Sequence, residues 1–345
     1  MTDIFPVSFL VAFSLIMLEK IRNKFGYVNL RKTAQTIHTK SVSRFGGIAV
    51  FGSLVVISFL SDAQEYNFLK TMLLCVCPIF LLGVLDDISV NLSPVVRLLL
   101  VFPSAFLSYY FLGIEAYSLG IPIIDILFNY QIFSILFICF ALAGIVNAFN
   151  IIDGINGLVL LFSLSICVTT ISFGLASVTD KILLYFVALF FSMLGIFILN
   201  FPFGRIFIGD GGAYFLGAAI AIGLIKIYQE NSLSPWYVLL MLIYPVTDIL
   251  ASLVRRLISR KSTLEPDKKH LHHMILRRVE KMGIVSTNTQ HFIVTFLTFG
   301  FYMPFMLGAN YFARDTIILM SLCLIFISFY FCLYVVLEPK NFRKS

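Results

Sequence analysis

The sequence is poor in charge. Only 12% of its 345 residues are Asp, Glu, Lys or Arg, whereas 59% are hydrophobic. Soluble domains carry about 25% charged residues, so this deficit excludes a large water-soluble domain. The composition therefore predicts an all-α polytopic membrane protein. No internal repeat, low-complexity tract or linker is visible, and we expect a single domain over residues 1–345.

The sequence also lacks a cysteine framework. Cys75 and Cys77 form a C-x-C with no matching Cys or His pair nearby, so neither a disulfide set nor a zinc site is expected. All the cysteines lie inside apolar runs: Cys75, Cys77, Cys139, Cys167, Cys323 and Cys332. The N-terminus has no basic region and no small-residue cleavage site, so the first apolar run is expected to remain as a membrane helix.

Apolar runs dominate the rest of the chain. A spanning helix needs about 20 mostly apolar residues. Eleven runs approach this length, near 4–18, 46–60, 68–85, 96–113, 131–149, 158–175, 182–200, 212–228, 235–254, 290–310 and 315–337. We therefore expect about eleven transmembrane helices, which places the two termini on opposite sides of the membrane.

The distribution of Lys and Arg predicts the orientation. Of the 25 basic residues, 21 fall on one side of this arrangement, and the other side keeps Lys70, Lys181, Lys226 and Arg314. The basic side is expected to be cytoplasmic, with the N-terminus outside and the C-terminus inside. The cytoplasmic loops lie near 19–45, 86–96, 150–157, 200–212 and 255–289. Orientation also explains the net charge of +7, so no nucleic-acid partner is expected.

Polar clusters interrupt the apolar pattern on the predicted cytoplasmic side. They occur in "SVSRFGG", "GVLDDI", "NAFNIIDGING", "NFPFGRIFIGDGGAYFLG" and "PDKKHLHHMILRR". Taken singly, each has an ordinary interpretation, such as a solvated helix end, an Asx-turn or an N-cap. The predicted outer loops contain no dense polar motif. Because all the clusters fall on one side, together they indicate a functional site there.

The chemistry of this inventory suits phosphate. The acids Asp86, Asp87, Asp153 and Asp210, together with Asn side chains, offer the hard oxygen ligands that Mg²⁺ prefers, and Mn²⁺ is an alternative. Countercharge for a polyanion would come from Arg44, Arg97, Arg205 and the cluster of His270, His272 and His273. A phosphate-bearing soluble donor that meets a membrane-bound acceptor fits this set. A transporter of a phosphorylated solute or lipid would use similar residues and stays an alternative.

These motifs resemble those of a known family. N-x-x-N-x-x-D-G-x-(D/N)-G-L occurs at Asn147–Leu158, G-x-x-D-D at Gly83–Asp87 and F-x-G-D-x-G at Phe207–Gly212. H-x-H-H occurs at His270–His273 and S-R-x-G-G at Ser43–Gly47. In this order they resemble the polyprenyl-phosphate N-acetylhexosamine-1-phosphate transferases. That family comprises bacterial enzymes that initiate surface glycans and is related to the phospho-MurNAc-pentapeptide translocase.

The resemblance implies a reaction and a location. The enzyme would transfer a sugar 1-phosphate from a UDP-N-acetyl sugar, such as UDP-GlcNAc, to undecaprenyl phosphate, with Mg²⁺, and would release UMP. It would initiate an O-antigen-like glycan at the cytoplasmic face of the bacterial inner membrane. Exposed apolar helices make a homodimer plausible.

The resemblance also implies roles for the site residues. Asp210 would be the principal metal ligand, with Asn150 and Asp87 beside it. Asp86 and Asp87 would meet the lipid phosphate, and one of them would deprotonate it. The remaining positions would contact the uridine, the pyrophosphate, the sugar or the acceptor phosphate: Arg44, Arg97, Asn147, Asp153, Asn156, Asn200, Arg205, Phe207, His270, His272 and His273.

Two departures from the family pattern matter. Many relatives have Asp where this chain has Asn156, so a charged contact becomes neutral. The segment "SVSRFGG" lacks the P-T-M-G-G run of the pentapeptide translocase, and the His segment also differs. Both points favour a transferase that initiates surface glycans, with the translocase as the alternative. Asp248, in "YPVTDIL", is interpreted either as a pocket residue or as a packing contact.

Overall fold

The structure is a computed structural model that describes residues 6, 9, 10, 13, 42–60, 66–88, 96, 99, 101–177, 180–259, 269–284 and 286–337. Within these ranges the regular elements are helices, and the one β contact is an isolated parallel bridge between Ser43 and Ile206. This agrees with the predicted all-α class.

Twelve helices of seven or more residues make up the described chain. They are α1 Gly46–Leu60, α2 Asn67–Asp87, α3 Val101–Leu112, α4 Gln131–Ile152, α5 Leu158–Ser177, α6 Asp180–Asn200, α7 Gly209–Glu230, α8 Pro235–Met241, α9 Ile243–Ile258, α10 Leu271–Lys281, α11 Thr287–Tyr311 and α12 Thr316–Leu337. One helical turn, Pro122–Asp125, and one 3-10 turn, Ile126–Asn129, precede α4. Eight predicted apolar runs coincide with helices to within three residues at each end.

Six helices of the described chain are long and apolar enough to cross a membrane: α2, α4, α6, α7, α11 and α12. Helices α8 and α9 make a seventh if the bent pair is one span. The 12 residues of α3 rise only about 18 Å, less than the ~30 Å hydrocarbon core. A helical membrane protein is therefore confirmed, whereas eleven spans and the orientation of the termini stay predictions. Most of the first predicted run lies outside the described residues.

The ninth predicted run is not one continuous helix, which corrects the expectation for 235–254. Helices α8 and α9 meet at Leu242 and are bent by 79°. Pro245 explains the break, because its ring has no N–H and would clash with the carbonyl of Met241 in a continuous helix. The Tyr302 hydroxyl donates a hydrogen bond to that carbonyl instead.

Helix α7 is the centre of the bundle. Nearly all of its residues are buried, and it packs against α1, α2 and α4. Phe215 of α7 packs edge-on against the stacked rings of Phe51 and Phe80. Because α7 is enclosed along its length, its first residue, Gly209, and the adjacent Asp210 are held in a fixed position. The ends of α2, α4 and α6 reach the same end of the bundle.

Candidate active site

The site is built where three segments that are distant in sequence meet. Phe207 donates its backbone N–H to Ser43 O at 2.7 Å, and Gly46 donates to Phe207 O at 2.9 Å. Gly47 donates to Ile208 O at 2.8 Å. These bonds join "SVSRFGG" to the segment that precedes α7. The arginine of the first segment is thereby placed beside the aspartate of the second.

Two glycines allow α2 and the start of α7 to lie close together. A Cβ atom on Gly83 would lie 2.5 Å from Gly211 Cα and 2.6 Å from Asp210 O. Gly209 has a φ of +73°, and a Cβ atom there would lie 2.6 Å from Asp87 Oδ2. The G-x-x-D-D and F-x-G-D-x-G motifs therefore need glycine for backbone packing of α2 against α7.

Asp87 caps the start of α7. Its Oδ1 accepts the N–H of Asp210 at 3.0 Å, and its Oδ2 accepts the N–H of Gly211 at 2.9 Å. The side chain is only 2% exposed. The first N–H groups of a helix lack partners within the helix and carry its positive dipole end, so a carboxylate there is stabilising.

Arg44 and Asn150 orient Asp210. The Arg44 guanidinium lies 2.9 Å from Asp210 Oδ1 and 3.4 Å from Asp87 Oδ1. The Asn150 amide donates to Asp210 Oδ1 at 2.9 Å. Among the described residues, none donates a hydrogen bond to Asp210 Oδ2 or to Asn150 Oδ1. Asp210 Oδ2 and Asn150 Oδ1 are therefore not engaged by any described residue. The Asp210 side chain is 20% exposed.

Asp153 adds a third carboxyl group at the end of α4. Burial, together with the negative charges of Asp210 and Asp87, raises its pKa well above the ordinary value, and the Arg44 charge opposes this shift. Asp86 differs from its neighbour Asp87 because it is buried against α7, where the Tyr214 hydroxyl donates to its Oδ2 at 3.5 Å. The two adjacent aspartates therefore have different environments.

Two asparagines hold the loops around the site. Asn200 accepts the Gly157 N–H at 2.6 Å and donates to Ile206 O at 2.7 Å, which ties the loop after α4 to the loop before α7. Asn156 donates its backbone N–H to His291 Nδ1 at 3.0 Å. Its side-chain amide donates to Pro202 O at 3.4 Å. The side chains of both asparagines therefore form hydrogen bonds to backbone groups of the loops around the site.

The histidine segment borders the same cluster. The His273 ring packs against Gly154, which follows Asp153, so that a Cβ atom on Gly154 would lie 3.0 Å from His273 Cε1. His272 is fully buried, and the Tyr244 hydroxyl is 3.0 Å from its Nδ1. Burial and the nearby His273 lower the pKa of His272 well below its usual value, so this ring is neutral near pH 7.

Comparisons with known proteins identify the family of this chain. The model of glycosyl transferase family 4 matches residues 69–228. A Thermotoga maritima protein named undecaprenyl-phosphate alpha-N-acetylglucosaminyl 1-phosphate transferase is 30% identical over 251 residues, which are 73% of this chain and 74% of the relative. The chain belongs to the polyprenyl-phosphate N-acetylhexosamine-1-phosphate transferase family. The predicted family is confirmed.

Other transferases of this family align over similar lengths. A Bacillus subtilis protein named a probable undecaprenyl-phosphate N-acetylglucosaminyl 1-phosphate transferase is 27% identical over 78% of this chain and 76% of its own length. An Escherichia coli K12 protein with the same name as the Thermotoga relative is 28% identical over 80% of this chain and 76% of its own length. The family model covers the aspartates from Asp86 to Asp210, whereas Arg44 and the histidines lie beyond it.

The structure does not bring every predicted residue of this transferase to the cluster. Arg97 lies outside the described residues. The Arg205 guanidinium is exposed and lies 5.0 Å above the Phe203 ring. Asn147 donates to Ala143 O within α4 at 2.8 Å, and Phe207 is half-buried beside the Ser43 bridge.

Sequence reasoning missed one residue of this transferase that holds a site segment in place, and it left the role of a second residue open. His291 of α11, which lies outside all of the polar motifs, accepts a hydrogen bond from the Asn156 backbone. Asp248 of α9 contacts His270, with 2.7 Å between Asp248 Oδ2 and His270 Nδ1. The only signal for Asp248 was an acid in an apolar run.

The side-chain amide of Asn156 is expected to stabilise the fold. In Asn156→Asp, a carboxylate oxygen would replace the amide nitrogen opposite Pro202 O, so a hydrogen bond would become a repulsion. We expect the free energy of unfolding to fall by about 1–3 kcal/mol. Thermal unfolding of the detergent-solubilised protein measures this. Asn288→Asp, at an exposed position in the first turn of α11, should leave the midpoint unchanged; an unchanged midpoint in Asn156→Asp would contradict the role of the amide.

Proposed function

We propose that this protein transfers an N-acetylhexosamine 1-phosphate from a UDP-sugar to undecaprenyl phosphate and releases UMP. The names of the relatives support the reaction class and make N-acetylglucosamine the first sugar to test. The observation that carries the proposal is the cluster of Asp87, Arg44, Asn150 and Asp210 at the start of a buried helix. The lipid-linked product would begin a cell-surface glycan.

The residues present fit a Mg²⁺ ion. Asp210 Oδ2 and Asn150 Oδ1 are hard oxygen atoms that no described residue engages. Asp87 Oδ2 keeps a further lone pair after it accepts the Gly211 N–H, whereas Oδ1 is shared between the Asp210 N–H and Arg44. Mg²⁺ is usually held by one or two carboxylates, while phosphate and water complete its shell. When bound, the ion would neutralise charge on the pyrophosphate; Mn²⁺ accepts the same ligand types.

The protein would act mainly by positioning and by countercharge. We propose that an oxygen of the acceptor phosphate attacks the sugar-linked phosphorus in line. The bond from that phosphorus to the oxygen of the UMP leaving group then breaks, and UMP takes the electron pair. Arg44 and Asn150 hold the Asp210 carboxylate in one orientation during this step. A double displacement through an aspartyl phosphate is the mechanistic alternative, and trapping that species with UDP-sugar alone would favour it.

We also propose that the site faces the cytoplasm of a bacterial cell, in a chain that crosses the inner membrane eleven times with its N-terminus outside. Two observations support this. The candidate residues lie at the ends of α2, α4 and α6 and at the start of α7, which is one end of the bundle. The basic residues concentrate on the same side in the predicted topology.

Release of UMP tests the reaction. Purified protein receives undecaprenyl phosphate and one UDP-N-acetyl sugar at a time, UDP-MurNAc-pentapeptide included, with and without Mg²⁺. We expect metal-dependent UMP release with one donor. Sealed vesicles of known orientation should respond only when the donor is supplied on the cytoplasmic side. Folded protein that binds a UDP-sugar but releases no UMP with any donor would refute the proposal and favour transport.

A further inference from the structure

Asp248 is a buried carboxylate on which three hydrogen-bond donors converge. It lies in α9, three residues after Pro245, and is 0% exposed. Its Oδ2 is 2.7 Å from His270 Nδ1. Its Oδ1 accepts the backbone N–H of Leu271 at 3.0 Å and the hydroxyl of Tyr330 at 2.6 Å. The start of the histidine segment is thus attached to α9 and α12 through one side chain.

These contacts define the state of the His270 ring. The carboxylate accepts hydrogen bonds and does not donate them, so Nδ1 of His270 carries a hydrogen atom. His270 Nε2 makes no hydrogen bond to any described residue. A ring whose one nitrogen is fixed by a carboxylate presents its other nitrogen in a defined direction. For His270 the presented atom is Nε2.

The His270 ring belongs to the group that borders the acidic cluster. Its centroid is 5.7 Å from that of His272 and 6.0 Å from that of His273. His273 in turn packs against Gly154, directly after Asp153. The contacts therefore lead from Asp248 through the histidines to the end of α4, next to Asp153.

We propose that Asp248 is a positioning residue that fixes the tautomer and orientation of His270, so that Nε2 meets the phosphate or sugar of the donor substrate. What Nε2 meets rests on the proposed function, whereas the Asp248–His270 relation does not. Tyr330 supports the carboxylate from α12 without contacting the ring nitrogen.

The substitution Asp248→Asn has a forced geometry. The N–H of Leu271 needs an acceptor, so the amide oxygen of the new side chain stays in the position of Oδ1. The amide NH₂ then takes the position of Oδ2 and donates to His270 Nδ1. The hydrogen of the neutral ring must move to Nε2. An isosteric change therefore inverts the tautomer, as the corresponding change of aspartate to asparagine does in Ser-His-Asp triads.

A double-mutant cycle tests the proposal. We expect Asp248→Asn to lower kcat for UMP release about 100-fold, while KM for the UDP-sugar changes less than about threefold. In a His270→Ala background the same substitution should lower kcat further by less than about threefold, because its effect runs through His270. Tyr330→Phe leaves the Nδ1 contact intact and should also cost less than about threefold. Multiplicative losses in the cycle would overturn the proposal.

A readout without catalysis separates this inference from the proposed function. Ring nitrogen shifts of ¹⁵N-histidine-labelled protein, with the His270 signals assigned by their loss in His270→Gln, should show hydrogen on Nδ1. Asp248→Asn should remove it. A bare Nδ1 in the unaltered protein overturns the proposal, and this result needs no folded variant at position 248. Absence of UMP release with Nδ1 protonated would instead refute the transferase reaction alone.

Discussion

Asp210→Asn is expected to lower UMP release about 1,000-fold while the protein stays folded. Arg44 and Asn150 both donate to Oδ1, so the oxygen of the new amide keeps that position. The amide nitrogen then replaces Oδ2, which no described residue engages. An N–H group cannot bind a cation, and one negative charge is lost as well. The substitution therefore removes the proposed Mg²⁺ ligand and preserves the contacts that hold α7.

The measurement is UMP release at rising Mg²⁺ concentration, alongside the thermal unfolding midpoint. Asp315→Asn is the matched control: Asp315 is exposed, it accepts the Ile318 N–H at the start of α12, and Asn caps a helix about as well as Asp. The control should keep full activity. If Asp210→Asn retained more than a tenth of the activity at the same Mg²⁺ concentration, Asp210 would not be the cation ligand.

The sequence alone predicts much of the helical frame and the location of the site. Apolar runs locate helices such as α4 and α6 because long apolar runs cross a bilayer as helices, and the polar residues at their ends mark where that pattern stops. The family resemblance implies that Asp87, Asn150 and Asp210 are metal ligands, and the structure brings these three residues together with Arg44. Helix periodicity and composition are local properties, so the sequence shows them directly.

Contacts between distant residues are not visible in the same way. Asp87 accepts hydrogen bonds from residues 123 and 124 positions later, and Asp248 is paired with His270, 22 positions later. No local pattern distinguishes such an acid from a solvated helix end. The break at Leu242 is different, because Pro245 signals it and only the long apolar run conceals it.

Asp87→Asn is expected to destabilise the protein as well as inactivate it. Both carboxylate oxygens of Asp87 accept backbone N–H groups, from Asp210 and Gly211. Whichever way the amide of the variant turns, its NH₂ faces one of these donors. One buried N–H group would lose its partner, and the pairing with Arg44 would weaken. We expect the free energy of unfolding to fall by about 2–3 kcal/mol.

The unfolding midpoint and the UMP assay must therefore be read together for Asp87, with activity measured below the variant's midpoint. A lower midpoint with loss of UMP release would mean that Asp87 acts by holding the start of α7, because a displaced helix end moves Asp210 with it. An unchanged midpoint with loss of release would contradict the capping role and would give Asp87 a direct role, either as a metal ligand or as the base at the lipid phosphate. Loss of activity alone does not distinguish these cases, because the Asp87 carboxylate contacts both Arg44 and the backbone N–H of Asp210, the proposed metal ligand.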